Sequence, residues 1–370
     1  MKRSERIIAF LKRKNIEISF QRYALDAVGA MALGLFASLL TGTIIKTLGE
    51  QLTTAFGPTA PYRLLIEAGT FAMAAAGPAM AISIGYALRA PRTVLFSLCA
   101  VGIAANTLGG AGGPLAVLIV TLFATEAGKI VAGETRIDIL VTPTVTVLTG
   151  ALLSLWWAPG IGAAANGFGR AVMWATTQQP FLMGIIVSVL MGVALTLPIS
   201  SAAICAALGL TGLAGGAAVA GCCAQMVGFA VLSFRENRWS GIVSQGIGTS
   251  MLQMKNILRN PRIWIPPTLV SAITGPIATC VFRLEMNGAP ISSGMGTCGF
   301  VGPIGVITGW FAPVEQAVAA GATILRPTGT DWFGLFCICI LLPAILTPLI
   351  GQIFRKRGWI GPDDLTLNAL

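Results

Sequence analysis

Side chains suited to holding a polar solute are scarce in this chain, and they stand where a regular helix would not put them. Leu197, Pro198, Ile199, Ser200 and Ser201 lie inside a stretch with no charge from Ala171 to Phe234. Proline frees a backbone carbonyl and serine competes for backbone hydrogen bonds, so a helix is expected to break there. Non-helical backbone at membrane depth survives only where protein or a water-filled cavity covers it, which makes this break a candidate lining for a solute site. A simple proline kink, with both serines bonded back to the preceding turn, fits the same residues.

A second uncharged stretch, from Asn287 to Thr297, carries Ala289, Pro290, Ser292 and Ser293 among glycines and is also too irregular for a plain span. Between the two lies a polar segment with Gln253 and Asn256 and the cations Lys255 and Arg259. Those cations suit an anionic ligand, and cytoplasmic topology explains them equally well. The six side chains Ser200, Ser201, Gln253, Asn256, Ser292 and Ser293 are expected to converge on one cavity. No catalytic set accompanies them. There is no histidine, and neither paired carboxylates nor a metal cluster stands in an apolar stretch. Neither Cys222-Cys223 nor Cys337-x-Cys339 has redox CxxC spacing, so the eight cysteines read as packing residues and no cofactor is expected.

The elements that must position these residues belong to a membrane. Hydrophobic residues make up 55% of the chain, charged residues 10%, and mean hydropathy is +0.81. Uncharged runs recur at 27–45, 68–88, 93–125, 139–169, 171–234, 263–282, 286–314 and 332–354. At about 20 residues per crossing, they predict an all-α polytopic protein with roughly nine to eleven transmembrane and re-entrant segments. The expected layout is a basic amphipathic leader over 1–22, one transmembrane domain over 23–354 and a tail over 355–370. Within the domain, 23–157 forms a first half, 158–180 an interfacial connector and 181–354 a second half with the re-entrant pieces.

Residues 1–22 hold seven basic residues against two acidic ones, and Arg355-Lys356-Arg357 follows the last apolar run. This excess places both termini on the cytoplasmic side of the inner membrane. The leader lacks a convincing cleavage site and is expected to stay on, lying against anionic lipid. Topology accounts for its charge without nucleic acid. The centre of 93–125, Gly109-Gly110-Ala111-Gly112-Gly113-Pro114, reads as a turn between two short crossings. As a phosphate loop it lacks the strand before it and the Lys-Ser/Thr after it.

From Asn106 onward the chain resembles a known family, the IIC membrane subunit of the sugar phosphotransferase system. The likeness is to the fructose-type permeases, and within them to stand-alone proteins grouped with the perfringolysin regulatory protein. Its carriers are the Gly109–Pro114 turn, Thr142-Pro143, the Pro198–Ala203 break, Asn260-Pro261 before Ile265-Pro266, and Ala289-Pro290 before glycines. The resemblance implies an elevator-type homodimer. In it Pro198, Ser200 and Ser201 belong to one solute-holding element, and Ala289, Pro290, Ser292 and Ser293 to the other. Small-residue surfaces around Gly34, Gly42 and Gly109–Gly113 suit a dimer as well.

Two features depart from the family. The polar segment reads Met251-Leu252-Gln253-Met254-Lys255-Asn256 where a sugar carrier has a glutamate, and the histidine after the Ala-Pro step is missing. The expected function is therefore a permease for a small polar or anionic solute, a sugar or sugar derivative among the candidates. It is not expected to be an enzyme, and any phosphoryl transfer needs separate phosphocarrier subunits. A membrane-embedded sensor of the same fold is the competing reading.

Overall fold

The computed structural model describes residues 9–311 and 327–367. Lys2, Arg3 and Arg6 of the basic leader therefore lie outside the described residues. Regular structure among the described residues is helical, apart from one antiparallel bridge between Gly212 and Met286. Six helical stretches are long and apolar enough to cross a bilayer, seven if one bent pair is a single span. The sequence-based count of nine to eleven adds shorter pieces to these. The chain divides into two compact units, Met1–Ala164 and Ala165–Leu370.

In the first unit α1 (Gln21–Phe56) is followed by α2 (Ala60–Ala74) and α3 (Ala76–Ala87), which meet at a 49° bend. Next come α4 (Arg92–Gly109) and α5 (Gly113–Val131). Between these two the chain reverses at Gly110, whose φ of +51° and ψ of −121° suit glycine. The reversal shows in packing: Gly128, near the end of α5, lies against Val94 at the start of α4.

The small residues expected to face a second copy are spent inside this unit. A Cβ on Gly34 would come 2.5 Å from the Ala79 carbonyl oxygen, and one on Gly42 2.7 Å from that of Gly69. The Gly109–Gly113 turn packs on Ile161 and Gly162. Close helix approach within one chain accounts for Gly34, Gly42, Gly109 and Gly112 without a second copy.

Helix α6 (Asp138–Thr176) runs 39 residues with Pro143 and Pro159 inside it. The boundary between the two units falls within it, inside the predicted 158–180 connector, yet the chain does not leave the helix at Ala158-Pro159-Gly160. Proline removes one N–H, and helices in a membrane tolerate that loss.

The second unit is built around α9 (Gly212–Leu232), 89% of whose most apolar window is buried. It is flanked by α7 (Pro180–Thr196), α8 (Ser201–Leu208), α12 (Pro261–Val281) and α14 (Gly329–Lys356). Glycine makes this centre possible: a Cβ on Gly221 would sit 1.9 Å from the Ser188 carbonyl oxygen of α7. Short pieces, α10 (Phe234–Val243) and α11 (Met254–Arg259), fill the polar segment, and α13 (Val301–Trp310) follows the second irregular stretch. At the basic end Arg355 bonds Glu236 at 2.7 Å and the Leu232 carbonyl at 3.1 Å.

Candidate functional site

The first break falls where the sequence places it. Helix α7 stops at Thr196, Leu197 is extended, and α8 begins at Ser201 with Ser200 as its N-cap, its hydroxyl accepting from the Ala203 N–H at 3.2 Å. Ser200 thus replaces a backbone partner that the break removes. The chain then doubles back. Pro180 at the start of α7 and Leu213 after α8 line one cavity of about 460 Å³, together with Arg283 and Glu285.

The second stretch doubles back from the same end. Met286 exchanges two backbone hydrogen bonds with Gly212, at 2.9 and 3.0 Å. From there the chain runs along α9 to Gly296, which packs on Cys222 and Cys223, and to Thr297, whose hydroxyl reaches the Met226 sulfur at 3.6 Å. Helix α13 retraces the path, Gly302 lying against Gly296, Gly305 against Ser292 and Gly309 against Asn287.

The two limbs are tied to each other. The Ser201 hydroxyl donates to the Gly294 carbonyl at 2.7 Å, and the Ser293 hydroxyl to the Leu210 carbonyl at 2.7 Å. Ser201, Ser292 and Ser293 are buried, Pro198, Ser200 and Pro290 half-buried, and Ala289 is exposed. Ser201 and Ser293 thus join the two breaks, each hydroxyl satisfying a carbonyl that irregular backbone leaves free.

Gln253 and Asn256 do not join them, contrary to the expected convergence. Gln253 donates to the Leu365 carbonyl at 3.0 Å and Asn256 to the Thr366 carbonyl at 3.0 Å, with Asn256 also bonding Gln253 at 2.8 Å. Asn237 adds a bond to the same Leu365 carbonyl at 2.8 Å, and Asn260 one to Trp359 at 2.9 Å. The segment after α14 is therefore a strap laid over the polar segment, with Leu365 and Ile360 buried beneath it. A buried amide needs partners, and the strap's carbonyls reach these first. Lys255 is half-buried and Arg259 exposed beside them.

Sequence reading missed a polar network beside the first break. Gln225, fully buried in α9, accepts from the Trp264 indole N–H at 3.1 Å and donates to the Thr268 hydroxyl at 3.1 Å. Thr196, the last residue of α7, reaches Gln225 at 3.4 Å and Ser250 at 2.8 Å. The indole can only donate, so it fixes which end of the amide faces it. Every group in this network is neutral. It offers hydroxyl and amide hydrogen bonds of the kind a polyol or other polar solute exchanges. The described residues contain no grouping of three or more metal-ligating side chains.

No curated protein and no solved structure matches the chain. The family profile described as phosphotransferase system, EIIC, matches residues 25–367, which takes in both breaks, the Gln225 network and the strap. The chain belongs to that EIIC family, the membrane permease component of the phosphotransferase system.

Proposed function

We propose that this EIIC protein moves a small polar or anionic solute, a sugar or sugar derivative among the candidates, by an elevator-type mechanism. One observation carries the reading: two limbs that double back from the same end are joined by the Ser201–Gly294 and Ser293–Leu210 bonds. Irregular backbone with its own hydrogen bonds satisfied makes a stiff body that can travel as one piece while presenting carbonyls and hydroxyls to a solute. Pro198, Ser200, Ala289, Pro290 and Ser292 line the same body, and Lys255 and Arg259 supply positive charge to an anionic solute. The protein works as a homodimer in the inner membrane with both termini cytoplasmic, and separate phosphocarrier subunits supply any phosphoryl group. The fructose-type likeness of its breaks is part of this proposal.

The test uses purified protein with glucose, fructose, fructose 6-phosphate and gluconate as probes, read by thermal stabilisation and by uptake into proteoliposomes. An anionic probe is expected to stabilise most, with Lys255→Ala and Arg259→Ala each weakening the response. Tight binding of neutral glucose or fructose that neither variant changes would rule out the anionic preference. A sensor of the same fold is favoured by the strap, because Gln253 and Asn256 link the polar segment to the residues after α14. Binding without uptake would select it.

A further inference from the structure

We propose that a cavity in the first unit is a binding site for a phosphate group, carried by an anionic lipid headgroup or free in solution. The cavity measures about 280 Å³ and is lined by Arg13, Lys14, Asn15, Arg89, Lys129 and Glu134, among others. Its volume is near the lower end for small-ligand sites, about 300 Å³. Glu134 is shared between Arg13 at 2.6 Å and Lys14 at 2.5 Å, and Lys129 is paired with Glu126 at 3.0 Å. The lining holds four cations and one carboxylate, with Glu126 on Lys129 and Asp138 accepting from the Gly133 N–H at 2.7 Å close behind, so four cations face three carboxylates and one positive charge is in excess. Arg89 has no side-chain partner among the described residues.

Two features separate this cavity from ordinary surface charge. Lys129 is fully buried, and its ammonium donates to the Asn15 carbonyl at 2.9 Å, the Leu88 carbonyl at 3.1 Å and Glu126 at 3.0 Å. All three protons are placed, so it fixes the wall and contributes field instead of a contact. Arg89 follows α3 with φ at +57°, held by its N–H to the Tyr86 carbonyl at 2.9 Å and by the Ala90 N–H to Gly85 at 3.0 Å. A helix ending this way favours glycine, and an arginine there is strained. Arg89 nevertheless stands in the lining, and its guanidinium, unlike that of Arg13, has no carboxylate partner among the described residues, so its planar fork is left to match phosphate oxygens.

The experiment uses the full chain in neutral detergent with two probes: radiolabelled orthophosphate at equilibrium, and phosphatidylglycerol against phosphatidylcholine retained in native mass spectrometry. Saturable orthophosphate binding identifies a free phosphate as ligand. Selective phosphatidylglycerol retention identifies a headgroup. In either case Arg89→Gly is expected to weaken binding about tenfold while leaving the thermal midpoint unchanged or raised, since glycine adopts this backbone freely. Arg136→Ala, an exposed arginine outside the cavity lining, is expected to change neither. The proposal is overturned if neither probe binds selectively, if Arg136→Ala weakens binding as much as Arg89→Gly, or if Arg89→Gly lowers the midpoint.

Discussion

Lys129 in the first unit and Gln225 in the second are both fully buried, and the two are satisfied in different currencies. Lys129 holds a carboxylate and two carbonyls. Gln225 holds an indole N–H and two hydroxyls, with no charge among them. A buried charge stripped of its partner is strongly destabilising, so the first arrangement is a fixed anchor. Neutral hydrogen bonds are each worth about 1 kcal/mol net, and partners can be exchanged at modest cost. The exchangeable kind of partner surrounds Gln225 beside the first break, and the fixed kind holds the leader and α3 to α5.

Lys129→Met should break this contrast most severely, because Glu126 is left without its cation. We expect a loss of about 3–5 kcal/mol, seen as a large fall in the thermal midpoint in detergent, with Glu126→Gln added to the same chain recovering most of it. Gln225→Leu should cost less, about 1–3 kcal/mol, while abolishing the response to whichever probe stabilises the parent protein. If it destabilises as much as Lys129→Met, the distinction between anchor and exchangeable network fails.

The smallest effect concerns Glu134. Its carboxyl is held below the usual carboxylate range, first by the Lys14 hydrogen bond and then by the charges of Arg13 and Lys14. A depressed folded-state pKa contributes stability above the unfolded value, about 4.3, that is lost as pH falls through the folded value. Protection factors over residues 9–20, which are intrinsic exchange rates divided by the observed rates at each pH, should therefore be flat near neutrality and fall below about pH 4. Equal protection factors at pH 6 and pH 3 would show that Glu134 does not hold the leader.

How far the sequence could be read follows from what each feature needs as a partner. Pro198 and the glycines of 288–299 disturb a helix by their own chemistry, so both irregular stretches were visible without a structure. A lone Gln225 among alanines and valines announces nothing, because its partners Thr196, Ser250, Trp264 and Thr268 come from separate segments. Gln253 and Asn256 stand out in the sequence as unusual, but the strap partners that draw them away from the serines are backbone carbonyls, which every residue possesses. The glycines of the first unit are ambiguous in another way: a small-residue stripe shows that helices approach closely, without saying whether the neighbour belongs to the same chain.

The strap across the polar segment is gripped chiefly through the main-chain oxygens of Trp359, Leu365 and Thr366. Such a grip reads distance along the chain more than the identity of the residues that span it. Most other side chains between 359 and 367 are therefore free to change; the exceptions are Trp359, which packs edge-on to Phe354 and under Arg262 and Arg357, the buried Ile360 and Leu365, and the Asp364 that accepts from Asn260 at 2.7 Å. Inserting or deleting a single residue there would shift each carbonyl past its amide. The strap acts as a ruler, tolerant of spelling and intolerant of length.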